Sequence, residues 1–149
     1  MHSKKYILMG VGNTLRGDDG IGSIIARNFK DNDWLSLDCG VAPENFTSII
    51  KKNSPHLVVL IDVVEMNLKP GEFRIIPPDN ICKMHLTTHS IPLSFLISYL
   101  KNFSQEIIFI GIQPKIIDYS TSISPEILKS SEEIKIILKD KKFNLIKKL

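Results

Sequence analysis

Apolar residues along the chain fall into short runs separated by glycine, proline and polar clusters, and the runs alternate between two periods. Residues 5–11 are almost unbroken in apolar character, the pattern of a parallel strand covered on both faces. Ile21, Ile24, Ile25 and Phe29 then recur at intervals of three and four, which predicts a helix from Asp19 to about Lys30 with one buried face. Lys30-Asp31-Asn32-Asp33 breaks that pattern, and Trp34-Leu35-Ser36-Leu37 alternates toward Asp38 as a second strand. A turn over 39–45 leads into a helix with Phe46, Ile49 and Ile50 on one face, stopped by Asn53-Ser54-Pro55. Leu57-Val58-Val59-Leu60-Ile61 is the strongest strand signal, and it delivers Asp62 at its C-terminal end.

After a turn over 67–72, Phe73-Arg74-Ile75-Ile76 predicts a strand too close to the previous one for a crossover helix, hence antiparallel or at an edge. Residues 79–90 read as a loop holding His85 and His89. Ile91-Pro92 begins a helix with Leu93, Leu96, Ile97 and Leu100 inside. Residues 107–112 form a fifth strand, 116–124 a loop, and Ser124-Pro125-Glu126 opens a last helix with Ile127, Leu128, Ile134, Ile137 and Leu138 facing inward. There is no internal repeat and no low-complexity linker. The order predicts an α/β fold, a three-layer sandwich whose mostly parallel, about five-stranded sheet is flanked by helices, as a single domain over residues 1–149.

Composition agrees, since 149 residues with 43% hydrophobic content suit one compact core. The net charge of +3 is small and concentrated in the terminal KDKKFNLIKKL, expected to be a solvated helix face or frayed tail. No patch interleaves arginine with aromatic residues, so no nucleic-acid partner is expected. Cys39 and Cys82 lie far apart, which indicates neither a zinc knuckle nor a disulfide framework and fits an intracellular protein. The apolar part of the N-terminus runs straight into a glycine turn without a cleavage site, and no apolar run approaches the ~20 residues that span a bilayer. The expectation is a soluble, cytoplasmic monomer with no membrane insertion.

The chemistry concentrates around Met9–Gly22, where Gly10 and Gly12 form a turn after the first strand and Asp18 and Asp19 precede a helix. One acid could serve as a helix cap; its neighbour has no such duty. A dinucleotide site is the first reading, with Gly10-x-Gly12 after a strand and Asp38 at the end of the next. It fails because Leu15 holds the third glycine position and the two acids would repel a pyrophosphate. A metal-linked hydrolase site built from Asp19, Asp62 and His89 is the second reading, each residue being expected on the C-terminal rim of the sheet. Against it stand an Asp62 paired with backbone N–H groups and a His89 that is a solvated loop histidine, like His85, His56 and His2. His85 and His89 lack the glutamate of a zinc-protease helix, no G-x-S-x-G elbow occurs, and neither cysteine has an activating partner. Water activated by a carboxylate or a metal is the chemistry left.

The segments GVGNTLRGDDGIG, DCGVAPEN, VLIDVVEMNLKPGE, THSIPL and IIFIGIQP, in this order, resemble the hydrogenase maturation endopeptidases, nearest to the branch acting on hydrogenase-3-type nickel-iron enzymes. The resemblance covers residues 7–114. It implies a protease, aspartic-type or metal-dependent, that removes a C-terminal extension from the hydrogenase large-subunit precursor after nickel insertion. The implied metal contacts are Asp19, Asp62 and His89, the implied catalytic acids are Asp19 and Asp38, and no substrate-binding residue is implied. Nickel would arrive with the precursor, the expected partner, and no tightly bound organic cofactor is expected. A non-catalytic nickel-recognising chaperone of the same subunit is the alternative. Thr14 stands where many relatives have proline, and the C-terminus carries no family pattern.

Overall fold

The computed structural model describes residues 3–81, 85–86 and 92–149, with the backbone alone for His85 and Leu86. The elements run β1 (Tyr6–Val11), α1 (Ile21–Asn28), β2 (Trp34–Gly40), α2 (Thr47–Asn53), β3 (Leu57–Glu65), β4 (Phe73–Ile75), α3 (Pro78–Ile81), β5 (His85–Leu86), α4 (Leu93–Leu100), β6 (Glu106–Ile112) and α5 (Pro125–Asp140). The main sheet has the order β2-β1-β3-β6-β4, with its first four strands parallel and β4 antiparallel to β6. Off this path, β5 pairs antiparallel with the end of β3.

Strand alternation divides the apolar residues between two cores. Leu8, Val59, Ile61 and Ile110 point to one face, where Ile21 and Ile25 of α1 and Ile127, Ile134 and Leu138 of α5 cover them. Ile7, Met9, Leu60 and Phe109 point to the other, against Ile50 of α2, Ile81 of α3 and the α4 stripe of Leu93, Leu96, Ile97 and Leu100. Because both faces are covered, the central strands are apolar throughout rather than alternating with polar residues.

Four local expectations change. The strand carrying Asp62 continues to Glu65, so Asp62 lies inside β3 and not at its end. Its pairing explains this: β1 accompanies β3 only to the Gly10–Ile61 pair, whereas β6 continues to the Val63–Ile112 pair. Leu128 is 46% exposed, because Ile127 takes the inward position and the next residue of a helix points about 100° away. The segment over 79–90 is not all loop, since it includes part of α3 and β5, with His85 opposite Glu65; Cys82 and His89 lie outside the described residues. The basic tail is pinned rather than frayed: Ile75 N–H donates to the Lys147 carbonyl and Leu149 N–H to the Ile75 carbonyl, each at 2.9 Å. Ile146 is buried beside this pairing, and the tail covers the open side of edge strand β4.

Helix α1 lies unusually close to the strands beneath it. A Cβ at Gly22 would sit 2.2 Å from the Val11 carbonyl oxygen and 2.5 Å from that of Ile61, and a Cβ at Gly10 would sit 2.0 Å from the Gly22 carbonyl oxygen. These contacts are with backbone, which cannot swing aside as a side chain can. Gly22→Ala should therefore destabilise the protein by about 3 kcal/mol or more, an overpacking cost at the top of the usual range, measured by urea denaturation. A variant with the wild-type midpoint would show that α1 can lift from the sheet without penalty.

Candidate active site

Beyond β1 the chain turns at Gly12, whose N–H donates to the Gly40 carbonyl at 2.8 Å and so ties the turn to the end of β2. The next acids lie in a short 3-10 turn over Gly17–Gly20, directly before α1. Both are fully buried, but they have different partners. The Asp18 carboxylate accepts the N–H groups of Lys115 at 2.9 Å, Ile116 at 2.8 Å and Ser124 at 2.7 Å, together with the Ser124 hydroxyl at 2.9 Å. It pins the β6–α5 connection beneath the first motif. Neither acid caps α1, whose N-cap is Gly20 without a side-chain bond.

Asp19 Oδ2 accepts the Asn13 N–H at 3.3 Å, and a Cβ at Gly12 would lie 2.1 Å from the Asp19 carbonyl oxygen. Asp62 is fully buried as well, and its Oδ1 accepts the Val63 N–H at 2.8 Å. It stands one residue past the Gly10–Ile61 pair, on the strand against which Gly22 packs. Asp19 and Asp62 therefore belong to the same C-terminal end of the β1–β3 seam. Strand alternation puts Asp62 on the side of Leu60 and Val64, the face covered by α4.

Asp38 sits differently, half-buried on an open groove of about 360 Å³ lined by Asn13, Thr14, Ser23, Arg27 and Gly40 among others. Its Oδ2 accepts Arg27 Nε–H at 2.5 Å and its Oδ1 the Gly40 N–H at 3.1 Å. Partial burial pushes its pKa upward, but the bonds from Arg27, Ser23 and Gly40 outweigh that and hold the carboxyl below its ordinary value of 3.8. Asp19 and Asp62 do not line this groove; they lie beneath the rim. Among the described residues no three His, Cys, Asp or Glu side chains gather as a metal site, and His89 lies outside those residues. Cys39, on the same groove, is buried with its thiol pKa pushed far up, which removes a thiolate nucleophile from the chemistry there. A larger cavity of about 490 Å³, between the turn before β4, α5 and the tail, mixes lysine, arginine and glutamate without a catalytic grouping.

Two groove residues, Ser23 and Arg27, are absent from the sequence reading although a signal existed. They are four apart on α1, so they share a helix face, and that face turns toward the end of β2.

The family model described as hydrogenase maturation protease (HycI) matches residues 21–140. The hydrogenase 3 maturation protease of Escherichia coli K12 is 39% identical over 132 residues, covering 86% of this chain and 85% of that protein. Among solved structures, the solution structure of the endopeptidase HycI from Escherichia coli superposes with a TM-score of 0.89 at 35% identity, covering 97% of this chain and 96% of that one. The crystal structure of a nickel-iron hydrogenase maturation protease from Thermococcus kodakarensis KOD1 gives a TM-score of 0.81 at 30% identity, with coverages of 93% and 92%.

Two stability outcomes follow from the acids. Asp18→Asn keeps the shape but turns an amide NH₂ toward donors, leaving buried N–H groups unpaired, and should cost about 2–4 kcal/mol in urea denaturation, with faster amide exchange over 115–124. Asp38 has a lowered folded pKa, so its contribution is fully present above about pH 4, the ordinary carboxylate range, and is lost as pH falls through the lower folded value. The stability difference between wild type and Asp38→Asn should accordingly shrink on acidification below about pH 4. A difference independent of pH would remove the electrostatic account of Asp38.

Proposed function

Because this chain belongs to the hydrogenase maturation protease family, we propose that it is an endopeptidase that removes the C-terminal extension of a nickel-iron hydrogenase large-subunit precursor once nickel has been inserted. The observation that carries this reading is that the turn holding Asp19 and the strand holding Asp62 meet at one end of the β1–β3 seam, beside a groove that exposes an ionised Asp38. Nickel belongs to the substrate in this scheme. Asp19, Asp62 and His89 would contact it, two carboxylates and an imidazole being sensible donors to a divalent transition metal.

Hydrolysis requires water to add to the scissile carbonyl carbon, the carbon–nitrogen bond to break, and the departing nitrogen to take a proton. The nickel on the substrate, with Asp19, would polarise that water. A carboxylate held below its ordinary range takes up a proton poorly near neutral pH. Asp38 is therefore assigned to the substrate peptide, where an ionised acceptor orients an N–H donor. The protein would work in the cytoplasm as a monomer, and no described helix is long and apolar enough to cross a membrane.

Incubation of the enzyme with nickel-loaded precursor should release a mass equal to the C-terminal peptide, while nickel-free precursor stays intact. Binding without mass loss would replace the protease by a nickel-recognising chaperone. His89→Ala should slow processing by more than the roughly 10–100-fold that loss of a residue merely supporting a metal ligand causes, with an unchanged thermal melt. His85→Ala should process almost normally. Loss of activity in His85→Ala alone would transfer the assignment to that residue.

A further inference from the structure

The guanidinium of Arg27 is only partly used among the described residues. Its Nε–H goes to Asp38 Oδ2, and its Nη groups make no hydrogen bond among the described residues; the side chain is 55% exposed on the groove. Arg27 lies in the last turn of α1, and α1 is seated so closely on the strands that the position of this turn is fixed. Across the groove, Gly40 N–H holds the second oxygen of Asp38, and the Ser23 hydroxyl lies in reach of both the Asp38 carboxylate and the Gly12 carbonyl at 3.1 Å. With one proton, Ser23 serves one of these acceptors at a time.

The pair has a chemical meaning beyond stability. An exposed ion pair adds little to folding, typically less than about 1 kcal/mol, so packing energy alone does not account for its geometry. Arg27 neutralises Asp38, and the site therefore neither attracts a cation nor repels an anion strongly. What remains is directional: an acceptor with unfilled lone-pair capacity next to a planar edge of N–H donors. The backbone of an extended peptide, the class of partner a protease takes, offers such a donor and acceptor without net charge. The lining fits such a partner, since it includes the exposed apolar side chains of Leu15 (63%) and Val41 (45%). Gly40 keeps the floor open, with nothing within 4 Å of where its Cβ would be.

We propose that Arg27 is a positioning residue that locks the Asp38 carboxylate through Nε and, with its Nη edge, forms a clamp reading the backbone of the substrate's extended segment. Asp38 accepts a peptide N–H while Arg27 donates to a peptide carbonyl. The inference rests on the protease reading for the identity of the peptide, but not for its chemistry. The side chains of that segment would project away from the clamp, so the clamp fixes the path of the chain more than its sequence.

The test uses the intact enzyme and nickel-loaded precursor, with Arg27→Met and Arg27→Lys. Among the described residues, Asp38 is bonded by Arg27 and Ser23 from α1 and by the Gly40 N–H of its own strand, so Arg27 is the cation there whose removal changes its titration. Arg27→Met should fold normally, weaken precursor binding and raise KM by about tenfold to a hundredfold, and leave kcat nearly unchanged. It should also move the acid limb of kcat/KM to higher pH, because Asp38 loses the partner that keeps it ionised. Arg27→Lys keeps the charge but not the fork, and should restore the acid limb without restoring KM. An Arg27→Met enzyme matching wild type in binding, KM and pH profile would overturn the clamp, and so would full rescue of KM by lysine. If wild type binds precursor without cleaving it, the protease reading fails, and the loss or retention of binding in Arg27→Met still decides the clamp.

Discussion

The close seating of α1 on the ends of β1 and β3 is the constraint on which the rest of the molecule depends. Hydrogen is the largest substituent that Gly10 and Gly22 can carry, since a methyl group on Gly22 would run into the main-chain carbonyls of Val11 and Ile61, and one on Gly10 into that of Gly22. A helix so near the sheet carries its preceding turn down with it. Asp18 and Asp19 therefore arrive buried at the level of the strand ends, where acids in the first turn of an ordinary surface helix would remain in water. The burial of these carboxylates is a consequence of where two glycines allow a helix to rest.

Once buried, adjacent acids acquire opposite tasks. Asp18 turns toward the β6–α5 connection, and backbone bonds from Gly17 to Ser120 at 2.7 Å, Asp18 to Ile116 at 3.0 Å and Ser120 to Leu15 at 3.0 Å stitch the same two segments together. With four donors on its oxygens, this carboxylate is a structural anion whose desolvation is offset by its partners. The turn it anchors is consequently rigid. Asp19 is held by that turn, and a site residue is placed well only when its neighbours fix it. In the role proposed for Asp19, the pair of aspartates is one foundation and one working group.

Asp38 illustrates how environment sorts identical side chains. It lies on the same end of the sheet as the other acids but faces a groove, and a guanidinium lies against it. The arginine lowers its proton affinity and removes its net field together. A carboxylate so treated is a poor base but a good, directional acceptor. The division of labour proposed for this end of the sheet, buried acids toward a metal carried by the substrate and a neutralised acid toward its backbone, follows from that difference in surroundings.

Most of the fold was legible because period is a local property. The central apolar runs, the three-and-four spacing of α1 and α4, and the missing crossover before β4 each follow from residues within one window. What escaped depends on partners distant in the chain. Asp62 falls inside β3 because β6 outlasts β1 as its neighbour, and no window around Asp62 contains that information. The tail reads as solvated lysines, yet Ile146 is buried and the backbone bonds Ile75, a partner about seventy residues away. Asp18 was legible as an acid at a helix start but not as an anchor, since its donors lie 97–106 residues further on. Arg27 is the intermediate case. Its spacing from Ser23 was visible, but a polar pair four apart on a helix ordinarily faces water. Only the seating of α1 beside β2 turns that pair toward Asp38, eleven residues beyond Arg27, and makes a helix face into one wall of a groove.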